Sequence, residues 1–162
     1  MDGALEMAAA NLVALLAARG MSAATAESCT GGMAGAAITS VPGASAVYAG
    51  GVISYSNAVK EKVLGVPREI LETDGAVSER CARAMAEGAR RLLGADFAVS
   101  ITGIAGPGGA VPGKPVGTVH FAVASGEGTK SDKAIFPGGR NEVRRAAAIH
   151  AIGMLSAAAA PA

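Results

Sequence analysis

Ala26-Glu27-Ser28-Cys29-Thr30-Gly31-Gly32 follows a short apolar run and precedes a helical pattern, so it marks a place where a strand turns into a helix. A hydroxyl at such a turn is exposed and faces the N–H groups of a helix start, an arrangement suited to acyl transfer. Ser28, Cys29 and Thr30 set three nucleophile types side by side there. Taken alone, Ser and Thr ahead of a helix read as N-caps. The run occurs nowhere else in the chain, however, and Gly-Gly is a poor helix start unless the backbone must approach something closely.

Outward from this turn the elements alternate. Residues 3–19 place Leu5, Leu12, Leu15 and Leu16 at helical spacing, with Asp2 as a candidate cap and Gly20 as a stop. Residues 22–26 read as a strand, 31–40 as a helix ending before Pro42-Gly43, and 48–55 as a second strand. Ser56 can cap a helix through Leu64, stopped by Gly65, and 67–71 reads as a short helix. Ser78 caps a longer one over 79–93, with Arg90 and Arg91 well placed in its last turn and Gly94 as its stop. Strands follow at 95–101, 116–124 and 130–136, the short 125–129 connection implying a hairpin. A last helix is expected from Asn141, as cap, to Ser156, with fraying beyond. Strands and helices in alternation followed by a hairpin specify an α/β fold, a three-layer α/β/α sandwich on a mixed sheet.

The chain has 162 residues, enough for one domain, residues 1–162, to bury a sizeable core without metals or disulfides. Hydrophobic residues make up 51% but aromatics only 3%, so the core must be built from Ala, Val, Ile, Leu and Met. Net charge is +1, from 14 basic and 13 acidic residues with no basic block, which argues against nucleic acid as a partner. Cys29 and Cys81 lack metal-type spacing, and the Ala-rich start carries Asp2 and Glu6 rather than a basic head. The expectation is a cytoplasmic protein with free thiols, no metal, no cofactor and no membrane partner.

Several residues carry candidate chemistry. The glycine-rich loop 102–115 is too long to be mere connection. Gly108 and Gly113-Lys114 have the spacing of a phosphate-binding P-loop, but Pro115 stands where Ser or Thr should hold magnesium, and a strand follows instead of a helix. Lys60 reads by itself as a surface lysine. Desolvated beside Ser28, its amine would have a lowered pKa and serve as general base, and parallel neighbouring strands would end at one sheet edge where the two can meet. His120 and His150 read as structural, and Cys29 as a small packed residue. Arg140 and Arg144, four apart, present either a fork to a phosphate or a solvated helical face.

Together with Val41-Pro42-Gly43-Ala44-Ser45, Gly50-Gly51-Val52-Ile53-Ser54-Tyr55-Ser56-Asn57, Lys60 with Leu64-Gly65-Val66, Gly75-Ala76-Val77-Ser78, the run 102–109 and Lys114-Pro115-Val116-Gly117-Thr118-Val119, the opening stretch closely resembles the CinA C-terminal domain family over nearly the whole chain. The resemblance implies a five-stranded mixed sheet with one strand antiparallel, and commonly a dimer. It implies hydrolysis of nicotinamide mononucleotide to nicotinate mononucleotide and ammonia, a step of pyridine-nucleotide salvage, by a metal-free Ser/Lys arrangement. The matching positions are Ser28 as nucleophile and Lys60 as base, with Tyr55 close by. Longer relatives carry a preceding nucleotide pyrophosphatase domain, and the expectation here is a stand-alone form without that activity. The family pattern often has an acidic residue where Gly139 stands.

On this reading helix-start N–H groups near Thr30, Gly31 and Gly32 hold the oxyanion, while Thr102, Gly103 and Gly106 shape the pocket of a small nucleotide substrate. Arg140 or Arg144 meets the phosphate, and Glu27 either touches ligand or orients the turn. The competing expectation is a non-catalytic nucleotide-binding module linked to competence or damage response, with DNA binding a distant third.

Overall fold

The structure, a computed structural model, describes residues 3–162, so the proposed Asp2 cap lies outside the described residues. The chain runs through α1 (Gly3–Arg19), β1 (Ala23–Glu27), α2 (Met33–Thr39), β2 (Tyr48–Ile53), α3 (Asn57–Leu64), α4 (Arg68–Thr73), α5 (Glu79–Leu93), β3 (Phe97–Gly103), β4 (Thr118–Ser125), β5 (Gly128–Ile135) and α6 (Arg140–Ala159). The sheet has the order β2-β1-β3-β4-β5. Strand β1 pairs in parallel with β2 and β3, whereas β3–β4 and β4–β5 are antiparallel, so β4 alone runs against the rest. This is the α/β/α sandwich expected.

Side-chain alternation assigns the two faces. Phe97, Val99 and Ile101 of β3 and Val119, Phe121 and Val123 of β4 meet Leu5, Leu12 and Leu16 of α1, Ala34 and Ile38 of α2, and Val143, Ile152 and Leu155 of α6. On the opposite face Ala24, Ala26 and Ala98 meet Cys81, Met85 and Ala89 of α5, and Ala122 and Ala124 meet Ala82 and Ala86. A strand surface of methyl groups brings α5 close to the sheet, which is how a chain so poor in aromatics fills its core. Enlarging one of these alanines would cost about 1–3 kcal/mol in overpacking.

Helix ends follow local chemistry. Ser56 and Ser78 accept the N–H of Val59 and Cys81, and Gly65 and Gly94 close α3 and α5 in the left-handed region at φ 72° and 64°. Three expected helix boundaries need correction. Helix α2 starts at Met33 rather than residue 31, because Gly31 and Gly32 take φ of 59° and 101° and belong to the turn. Helix α6 is capped by Gly139, whose N–H meets the Glu142 carboxylate, so Asn141 lies inside the helix. Nor does α6 fray after Ser156. It continues to Ala159, which is buried and whose carbonyl accepts from Arg19 Nη1 at 2.5 Å, tying the ends of α1 and α6 together. Among the described residues no helix is long and apolar enough to cross a membrane.

The connection from β1 to β2 carries α2 on one face, and the return from β2 to β3 carries α5 on the other. The strand order therefore reverses at β1, and the crevice beyond its carboxyl end is the topological switch point where open α/β sheets take ligands. Ser28 follows directly.

Candidate active site

Register aligns the crevice. Glu27 stands opposite Ile53 of β2 and Ile101 of β3, and the ladder extends one step as Ser28 N donates to Ile101 O at 2.9 Å and Ser54 N to Glu27 O at 2.7 Å. Period-two alternation sends Glu27 and Ser28 to opposite faces. Ser28 follows Ala24 and Ala26 onto the α5 side, and there it meets Lys60 from the first turn of α3.

Lys60 is 1% exposed, and its Nζ lies 3.0 Å from Ser28 Oγ, 2.7 Å from Ser54 O and 3.0 Å from Tyr55 O. Two carbonyls can only accept. A neutral amine would satisfy both with its N–H groups and turn its lone pair toward the hydroxyl, the arrangement in which it would accept the Ser28 proton. Burial pushes the Lys60 amine below its ordinary pKa. The groups that oppose this are the thiols of Cys81 and Cys29, each pushed by burial to about 11 and therefore uncharged at neutral pH. Cys29 is thereby a poor thiolate nucleophile, despite its place beside Ser28.

Ser28 and Lys60 open onto a cavity of about 310 Å³ lined also by Cys29, Tyr55, Asn57, Ala76, Val77, Thr102, the loop from Gly103 to Gly106, Gly108, Gly109 and Arg140. Thr102 is buried and its hydroxyl donates to Ala76 O at 2.8 Å, joining two walls. Arg140 Nη1 donates to Gly106 O at 2.7 Å and Nη2 reaches Tyr55 Oη at 3.4 Å, pinning the glycine loop and the half-open mouth. The Tyr55 side chain is 62% exposed, and what it gives the dyad is its backbone carbonyl.

Glu27, Thr30, Gly31, Gly32 and Arg144 are absent from the cavity wall. Glu27 is buried on the other face, where its carboxylate accepts from Thr30 Oγ1 at 2.6 Å and from the N–H groups of Ala34 and Gly35 at 2.9 Å. It fills the start of α2 from inside. Arg144 donates through Nε to Cys29 O at 3.0 Å and through Nη2 to Thr30 O at 3.2 Å, so its fork is spent on the turn rather than directed at solvent. Gly31 N–H bonds Ser28 O at 3.1 Å, which withdraws it as an oxyanion donor, while among the described residues the N–H of Thr30 has no protein acceptor.

Sequence reading missed Asn57, Ala76, Val77 and the Ser54 carbonyl. Asn57 could have been found, since it sits three residues before Lys60 on the same first turn of α3 and so on the same side. No local signal marks the Ser54 carbonyl, because any residue there has one. Among the described residues no group of His, Cys, Asp and Glu is placed to hold a metal ion, and the cavity wall itself carries no carboxylate or imidazole.

The comparisons with known proteins agree with one another. The family model of the CinA C-terminal domain matches residues 5–159. A CinA-like protein of Anaeromyxobacter sp. is 58% identical over 144 residues, covering 89% of this chain and 35% of that protein. A putative competence-damage inducible protein of Symbiobacterium thermophilum is 50% identical over 150 residues, 87% of this chain and 35% of that protein. The chain thus spans about a third of the length of the curated relatives it matches. The crystal structure of the competence/damage inducible protein CihA from Agrobacterium tumefaciens superposes with a TM-score of 0.94 at 42% identity, over 97% of this chain and 96% of that one. The family match over residues 5–159, the identity to curated relatives and the shared fold lead to one conclusion: this chain belongs to the CinA C-terminal domain family.

Proposed function

We propose that this protein is a nicotinamide mononucleotide amidohydrolase working through Ser28 and Lys60. The observation that carries the reading is the buried Lys60 amine, 3.0 Å from Ser28 Oγ and held by two carbonyls, with no carboxylate to keep it charged. Lys60 takes the Ser28 proton as Oγ attacks the carboxamide carbon, and the carbonyl oxygen becomes an oxyanion beside the turn N–H groups. The Lys60 ammonium returns the proton to the departing nitrogen, which leaves as ammonia, and an ester to Ser28 remains. Water then gives a proton to Lys60 and attacks the ester. Collapse releases nicotinate mononucleotide and returns the proton to Ser28. The reaction needs no cofactor. In this reading Arg140, which lines the cavity with Asn57, exchanges its contacts to Gly106 O and Tyr55 Oη for the nucleotide phosphate.

Replacing Ser28 by Ala is expected to abolish ammonia release from nicotinamide mononucleotide, measured with chelator present, while circular dichroism shows the fold retained. Full turnover by S28A would overturn the assignment. A second reading, a nucleotide-binding module without catalysis, finds support in the relatives' names, which speak of competence and damage induction and of no reaction. Raised thermal stability with the nucleotide and no product would favour it. On either reading the protein acts in the cytoplasm, with a dimer as the expected assembly.

A further inference from the structure

Six glycines stand between Gly103 and Gly117, and the fold itself requires five of them. A Cβ on Gly103 or Gly117 would run into a backbone oxygen, that of Thr118 or Phe136. Gly106, Gly109 and Gly113 take φ of 86°, 95° and 80°, in the left-handed region that side chains avoid. Gly108 is different. Its φ is not positive, and a Cβ built on it meets nothing within 4 Å. A glycine with no such need only adds freedom to the unfolded chain. Gly108 is exposed and lies in the cavity wall, so the room its missing side chain leaves is beside the place where a ligand sits.

The loop is anchored on both sides of this residue. Ile104 N donates to Thr118 O at 2.9 Å and Gly117 N to Ile104 O at 2.8 Å. Val111 and Lys114 exchange N–H bonds at 3.1 and 2.9 Å around Pro112-Gly113, and Lys114 Nζ donates to Asp74 O at 2.7 Å, toward the segment that carries Ala76 and Val77. These anchors stay even where Arg140 leaves Gly106 for a phosphate. A side chain added at position 108 therefore takes room from the cavity, because the loop cannot readily retreat.

We infer that Gly108 is a specificity-determining residue: the body of the substrate, between the carboxamide at Ser28 and the charged end at Arg140, passes through the space a side chain there would fill. The inference rests on the proposed amidase reading, and its test separates the two.

Gly108→Ala and Gly108→Val are compared with the parent protein in ammonia release from nicotinamide mononucleotide and in thermal melting without ligand. The G108A midpoint should equal or exceed that of the parent, since the substitution meets no clash and removes unfolded-state freedom. KM should rise about 10-fold in G108A and further in G108V, with kcat within about threefold, because lost room is felt by ground state and transition state alike. Gly153→Ala is the control: on α6 a Cβ likewise meets nothing within 4 Å, and KM should not change. Unchanged KM in both Gly108 variants would show that position 108 faces solvent only, and would overturn the inference. A midpoint several degrees lower in G108A would overturn it by making the glycine a requirement of the fold, and a fall in kcat at unchanged KM by placing its effect on the dyad. If the parent binds the nucleotide in calorimetry but releases no ammonia, the amidase reading fails, and the Kd series, with the same expected rise, decides the role of Gly108. A parent that neither binds nor hydrolyses the nucleotide overturns the inference together with the reading.

Discussion

Lys60 shows how a single side chain acquires chemistry from its surroundings. It is an ordinary helix residue by sequence, yet burial lowers its pKa, and Ser54 O, Tyr55 O and Ser28 Oγ all lie within 3.0 Å of its amine. On the proposed mechanism Lys60 acts as a neutral base, so kcat/KM is expected to rise with pH along a limb whose midpoint lies below the ordinary 10.5 of a lysine, measured with nicotinamide mononucleotide. Stability carries the same signature. Between the lowered folded pKa and 10.5 the unfolded chain binds more protons than the folded one, so stability increases with pH across that window. Lys60→Met should remove this slope in urea titrations at successive pH values, and a slope left intact would show that Lys60 is not the group responsible. Ser28 and Lys60 were both legible in the sequence, from the strand-to-helix turn and the family motifs. The role of Glu27 was half legible. Counting alternate residues from Ala24 and Ala26 places Ser28 with them and Glu27 on the far side, but nothing local says that Ala34 and Gly35 wait there.

At the scale of elements, the position of α3 decides whether the amine reaches the hydroxyl, and that position depends on a close approach to α5. A Cβ built on Gly88 would lie 1.9 Å from Leu64 O and 2.8 Å from Leu64 C, both backbone atoms that cannot rotate away. Gly88→Ala must push the C-terminal end of α3 outward, at a cost of about 1–3 kcal/mol. Because α3 also carries Lys60, turnover should fall further than stability does, by about 10-fold or more for a displacement approaching an ångström. The paired measurement is chemical denaturation beside kcat, and an unchanged kcat would show that α3 does not transmit the shift. Caps and stops at Ser56, Gly65, Ser78 and Gly94 were readable because each uses chemistry within four residues. The start of α6 was misread for a related reason. Asn141 is a good cap by type, but Glu142 supplies an acceptor to Gly139 instead, and the Asn141 side chain is engaged with Arg144.

Across the whole molecule, the crevice exists because the strand order reverses at β1, and the layer behind it is closed by α1 against α6. The last turn of α6 belongs to that closure. Ending the chain after Ser156 removes the buried Ala159 and the acceptor of Arg19, one methyl group and one hydrogen bond, and should cost about 2 kcal/mol. Thermal melting of the shortened chain should show a midpoint lower by several degrees with the dyad chemistry preserved. No change in the midpoint would mean that the terminal turn contributes nothing to the closure.

The sequence by itself determined the order of elements, the small-residue core, the turn that presents Ser28 and the family to which the chain belongs, because periodicity, capping and motif order are written in neighbouring residues. Only the tertiary structure decided which polar groups serve the cavity and which serve the turn. Glu27 and Arg144 stand among the candidate ligand contacts in any linear reading. In space they lie behind the nucleophile, because the pleat of β1 reverses a side chain at every step and the fold returns α6 to the opposite face of the sheet.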